Sequence, residues 1–194
     1  MRSLELLGLA SFNLFLGMIL TVTFISQGGQ PKSPRLTEEN VSAFIHDMTD
    51  TALGLKPGMD QYATTMWFMD HLSEASTFKT NMNIEQAQGG TRAETVEMGR
   101  MDYIGQILKD QKAVQKRESH VNIEYVKIEE DGNSAAAVFT SIEKGMISMT
   151  SDAGTYEMPV RGTSFCEHRL ALRNKKIVVS GGTCTTHVDA TQVY

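Results

Sequence analysis

The sequence predicts an α+β fold, with amphipathic helices packed against an antiparallel sheet behind a hydrophobic N-terminus. Ser119 to Asp189 reads as four consecutive strands joined by turns, more than a third of the chain. Two or three amphipathic helices precede it, and no βαβ alternation appears, so the strands are expected to pair antiparallel. In front of the helices, Leu6 to Ile25 carries no charge.

Length and composition set the outer bounds. The 194 residues suit one domain plus a tail, and 41% hydrophobic with 21% charged residues is enough to bury a core. The formal net charge of −5 is unchanged when the first 29 residues are set aside, because Arg2 and Glu5 leave together. An acidic domain lacks the clustered cations that neutralise phosphates, so nucleic acid is not an expected partner. The basic cluster from Lys109 to Arg117 is diluted by Asp110 and reads as a solvated helix end.

Residues 1–26 read as a transmembrane anchor or signal peptide. The 20 uncharged residues from Leu6 to Ile25 match the roughly 30 Å hydrocarbon core of a bilayer at about 1.5 Å per residue. A cleaved signal is the alternative, since Ser26-Gln27-Gly28 offers small residues ahead of a cut before Gly29. Residues 27–35 (QGGQPKSPR) are a linker, and residues 36–194 form the domain.

Thr37, followed by Glu38 and Glu39, is a helix start. Val41, Phe44, Ile45, Met48 and Ala52 then form one apolar stripe, and Gly54 with Pro57 ends the helix. A second helix is expected from about Met59 to Ser73, burying Met59, Tyr62, Ala63, Met66 and Met69. Thr77 to Gln86 reads as a first strand ended by Gly89-Gly90, and a third helix as Val96 to Lys109. Val121, Ile123 and Tyr125 alternate with polar residues up to the turn Asp131-Gly132-Asn133. Strands are expected over Ala135–Ile147, Tyr156–Arg173 and, after a turn at Asn174-Lys175-Lys176, Ile177–Asp189.

The two cysteines lie in that last hairpin. If it is centred on Lys175, Cys166 and Cys184 lie nine residues either side and face each other. Opposed Cβ atoms stand about 4.5–5.5 Å apart, within reach of a disulfide. Such a bond implies an oxidising compartment, and so a membrane-anchored domain exported to the periplasm or cell exterior, or a secreted one after signal cleavage. Two buried thiols are an alternative reading. Another is a metal site using His168 and His187, although the strand period turns His187 away from Cys184.

His71 to Phe78 (HLSEASTF) resembles the end of the second helix and start of the first strand in the NTF2-like (SnoaL-like) superfamily, and Met98 to Ile104 (MGRMDYI) resembles its short third helix. The resemblance covers about residues 36–189. It implies a cone of about three N-terminal helices over a curved antiparallel sheet, a homodimer formed through the sheet, and possible membership of a membrane protein complex. Ketosteroid isomerase is the sharpest enzymatic template in the superfamily, but its general base falls on Thr80, and Thr37 to Leu53 contains no tyrosine. A threonine hydroxyl is no base near neutral pH, so that chemistry is not expected.

Four residues are weak catalytic candidates. His46 and Asp50 stand at i and i+4 on the first helix, and Asp70 adjoins His71 on the second. His46 and Asp50 read first as a solvated helix face, and Asp70 and His71, pointing about 100° apart, cannot both enter one pocket. Tyr62, Met66, Trp67 and Phe78 are the candidates for lining an apolar cavity. No cofactor or metal is expected, since phosphate loops, Gly-x-Ser-x-Gly and His-Glu-x-x-His are absent. The first functional expectation is an interaction or assembly module without catalysis. The second is binding of a small apolar ligand in the cone, with isomerase- or hydrolase-type turnover as an extension.

Overall fold

The computed structural model describes residues 34–85, 90–151 and 154–189. The stretch read as anchor or signal lies outside them, as does most of the linker. No helix among the described residues is long and apolar enough to cross a membrane.

Helix α1 (Glu38–Leu53) begins where the sequence places it. The Thr37 hydroxyl accepts from the Asn40 amide while the Asn40 side chain accepts from the Thr37 amide, a reciprocal cap. Val41, Phe44, Ile45 and Met48 are buried, and Gly54 ends the helix at φ +70°. Helix α2 (Gln61–His71) is capped by Asp60 and is shorter than expected. Its buried face is also different: Thr64 and Phe68 face inward, whereas Tyr62 and Met66 are 74% and 46% exposed. Apolar residues surround this helix on every side, so periodicity alone did not single out the face that packs.

Strand β1 (Leu72–Glu85) follows α2 without a loop and starts five residues earlier than predicted. The segment before helix α3 (Arg100–Ala113) is strand β2 (Thr91–Gly99), not the first turns of a helix. Ala93, Glu94, Glu97 and Met98 favour a helix locally, but pairing with β1 from Thr91↔Glu85 to Gly99↔Thr77 overrides that preference. Strands β3 (Val114–Ile128), β4 (Ser134–Ser151), β5 (Gly154–Arg173) and β6 (Lys176–Asp189) complete a six-stranded sheet. The Asp131-Gly132-Asn133 turn joins β3 to β4, with the Gly132 amide donating to the Glu129 carbonyl.

The sheet order is β2-β1-β6-β5-β4-β3. It is mixed, which corrects the purely antiparallel expectation: β1 and β6 run parallel, Thr80 opposite Cys184. The chain reaches β6 only after four antiparallel strands, and β6 arrives beside β1 pointing the same way. Among the described residues three helices cover one face, and Ile45, Phe68, Ile104, Leu170 and Val179 sit between the layers with little or no exposure.

Bulges shape the strands around this core. One extra residue in β3 lies between Gln115 and Glu118, with Lys116 at φ +51°, and a second shift lies between Ile123 and Tyr125. Opposite the first, Gly145 is required by close approach: a Cβ there would lie 2.3 Å from the Val114 Cγ1 and 3.0 Å from the Gln115 carbonyl.

Cys166 and Cys184 are opposed and joined by a disulfide, with Cα atoms 4.2 Å apart. The expected pairing is correct, although the route to it was not. The turn has two residues, Asn174 and Lys175, both at positive φ, which sets Arg173 against Lys176. That turn alone would offset the cysteines by one. A bulge between Leu170 and Arg169, where β6 inserts Ser180, restores the register.

Candidate functional site

The helices and the inner face of the sheet enclose a cavity of about 670 Å³. Its walls follow from the pleat, since alternate residues of each strand point inward. Phe139, Ser141 and Glu143 line it from β4, Gly162, Ser164, Cys166 and His168 from β5, and Cys184, Thr186 and Val188 from β6. Cross-strand pairing orders them in rows. The innermost row holds His168 beside Gly182. The next holds Thr80, the Cys184–Cys166 disulfide and Phe139. Beyond it come Thr186, Ser164 and Ser141, with the Ser164 and Thr186 hydroxyls hydrogen-bonded at 2.9 Å. The outermost holds Val188, Gly162 and Glu143, with exposed Lys144 and Arg161 at the rim.

Most of the remaining lining is apolar, including Met48, Leu53, Met82, Val96, Ile107 and Ile147. Tyr103, Asp110, Arg117 and Glu143 gather on one side, from α3, β3 and β4. The β3 bulge re-aims Arg117, whose guanidinium donates to the Asp110 carbonyl at the end of α3 and, at 3.3 Å from Nε, to the Val114 carbonyl. Burial lowers its pKa, opposed by Glu143 and Asp110. Burial raises the Glu143 carboxyl above its ordinary value, against the Ser141 hydroxyl that donates to it at 3.2 Å and the nearby Arg117. The Asp110 carboxyl is likewise raised by burial, against the Gln106 amide that donates to it at 2.9 Å. Tyr103 stacks on Phe78 with ring centroids 4.0 Å apart. Burial, then Glu143 and Asp110, push its phenol up to about 12, so it stays a hydrogen-bond donor.

His168 is 3% exposed and held edge-on by Phe139 and Phe78 at 5.1 and 6.1 Å. It packs over Gly182, where a Cβ would lie 2.3 Å from its Cδ2. Burial lowers its pKa to about 4, which leaves the imidazole neutral near pH 7. Its Nδ1 is buried without a hydrogen-bond partner among the described residues. The arrangement is an apolar chamber with proton donors and acceptors on one wall and a neutral imidazole at its closed end.

The four sequence candidates for catalysis do not converge here. His46 and Asp50 are exposed on α1. Asp70 is exposed and paired with Lys176 at 2.6 Å, which lowers its pKa. His71 Nδ1 bonds the Ile177 carbonyl at 2.8 Å, and its ring packs on Trp67. Among the ligand candidates, Tyr62 and Met66 face solvent, and Trp67 stacks with Phe44 beneath Lys56, away from the cavity. Phe78 stands behind the wall, through Tyr103 and His168. Thr80 does line the cavity.

Sequence reasoning missed Tyr103, Glu143, Asp110 and Arg117. Glu143 had a signal: it shares parity with inward-facing Phe139 and Ser141, so a charge on the inner face was legible. Arg117 had none, because its direction depends on the bulge.

No protein-family model matches the chain, and no curated protein matches it. Solved structures do resemble it. A candidate aromatic ring hydroxylase from Novosphingobium aromaticivorans aligns at 14% identity and TM-score 0.51, over 80% of this chain and 96% of that one. An NTF2-like protein of unknown function from Silicibacter pomeroyi aligns at 12% identity and TM-score 0.39, over 77% and 98%. A protein with a cystatin-like fold from Caulobacter vibrioides aligns at 15% and 0.44, over 76% and 87%. Helix order and sheet topology fit an NTF2-like domain fold, and the Novosphingobium structure shares the fold of the described chain over most of its length.

Proposed function

We propose that the domain binds a small, mainly apolar molecule inside the cone, with the ligand's polar group held by the Tyr103, Glu143 and Arg117 wall. The carrying observation is the cavity itself. Its volume falls within the roughly 300–1,000 Å³ of small-molecule sites, and a largely apolar lining with a few convergent polar groups is their usual composition. Raised carboxyl pKa values and a protonated phenol beside them also suit proton transfer, so turnover of the ligand is an extension of this reading. The disulfide and the uncharged stretch from Leu6 to Ile25 support an exported setting, anchored or secreted.

Thermal shift against lipids, steroids and polyketide-like compounds tests the proposal. A true ligand at 100 times its Kd adds about 2.7 kcal/mol of stability. A Ser164→Phe variant, which fills the chamber, should fold and lose that response. No stabilisation by any apolar compound, or an equal response from Ser164→Phe, would overturn it.

A second reading is assembly through the outer face of the sheet. Phe165 and Tyr125, each 55% exposed on that face, favour it. The face around them is largely Thr, Asn and charged residues, which is why this reading ranks second.

A further inference from the structure

We propose that Cys166, His168 and Cys184 form a three-ligand site for a thiophilic divalent cation, zinc being the type case, whenever the disulfide is reduced. Three observations meet here. The cysteines are directly opposed on β5 and β6, and His168 lies two residues along β5 on the same inner face. One ligand atom from each lies within 4.8 Å of the others. Tetrahedral zinc, with bonds of about 2.3 Å to sulfur and 2.0 Å to nitrogen, needs these atoms about 3.5–3.8 Å apart. Rotation of the freed thiols supplies that difference without moving the strands.

The third observation is the histidine. It is 3% exposed, and its Nδ1 is buried without a hydrogen-bond partner among the described residues. Buried polar atoms are nearly always satisfied, so an unpartnered nitrogen on a histidine whose ring lies within reach of two sulfurs points to an absent partner. The flanking Phe78 and Phe139 rings fix the imidazole and keep the surroundings dry. The fourth position faces the cavity, as in zinc sites that keep one place open. His187 takes no part: it lies on the outer face with Nε2 2.9 Å from Glu85.

Loading requires a two-electron reductant, a dithiol being the type case. Its two S–H bonds break and it closes to a cyclic disulfide, while the Cys166–Cys184 bond opens and the two electrons and two protons pass to the protein thiols. On capturing the cation both thiols release their protons to solvent, and neutral His168 donates a nitrogen lone pair. The same sulfurs serve the disulfide or the ion, never both.

The full chain, reduced with a phosphine so that no free thiol competes, is titrated with Co²⁺. The expected result is one ion per chain, with a thiolate-to-cobalt charge-transfer band and strong four-coordinate visible bands that the oxidised protein lacks. Zn²⁺ should erase both. His168→Gln should lose the four-coordinate bands, and Cys184→Ser the charge-transfer intensity. If His168→Gln does not fold, X-ray absorption of the zinc-loaded native protein decides, with two sulfurs and one imidazole expected. Failure of the reduced protein to bind cobalt, unchanged binding in His168→Gln, or a zinc shell without imidazole would overturn the proposal.

Discussion

His168 shows how one buried side chain ties packing to pH. Burial alone depresses its pKa from 6.5 to about 4, so the unfolded chain takes up a proton over a range where the folded one does not. The sign follows: this contribution is intact above pH 6.5 and is lost as pH falls toward 4. Across that window the loss approaches about 3 kcal/mol at about 1.36 kcal/mol per unit of pKa. The raised carboxyls of Glu143 and Asp110 act with opposite sign, since they hold protons in the folded state that the unfolded state has released. His168→Leu separates the two effects: chemical denaturation between pH 7 and 4.5 should show a flatter decline than in the native protein. An unchanged slope would mean that the imidazole is not the source. Glu143 was readable from strand parity and His168 as a possible ligand, because both depend on the period of two. Tyr103 was not, since no apolar stripe in Met98–Ile104 distinguishes a cavity-facing ring from a core one.

At the scale of elements, bulges decide what the cavity contains. The extra residue in β3 turns Arg117 inward, and Val114 crosses close over Gly145 to permit it. Gly145→Ala places a methyl where Val114 already sits, so the bulge must shift. Overpacking of this kind costs about 1–3 kcal/mol. Urea denaturation should report that loss, and ligand-induced stabilisation should fall with it because Arg117 moves. Full stability in Gly145→Ala would show that the bulge adapts freely. The β6 bulge acts likewise on the disulfide: without Ser180 the two-residue turn would leave the cysteines offset.

For the whole molecule, the disulfide ties β6, which pairs on its other side with β1 and so connects the two halves of the sheet. Its ends are 18 residues apart, and closing a loop of about that length stabilises by roughly 3 kcal/mol in the chain-entropy model. A Cys166→Ala/Cys184→Ala variant should keep its circular dichroism spectrum and lose about that much in denaturant titration. A loss near zero would show that the strands hold their register unaided. By itself the sequence determined the features written in neighbouring residues: the Thr37 cap and apolar stripe of α1 and the Asp131-Gly132-Asn133 turn. Turn and cap chemistry acts within four residues, so it survives without knowledge of distant partners. Only the tertiary structure decided that Thr91–Gly99 is a strand, that β1 and β6 run parallel, and which charges face the chamber. Local helix preferences of a few tenths of a kcal/mol yield to pairing along a whole strand, and a one-residue bulge redirects side chains while leaving the hydrophobic pattern almost unchanged.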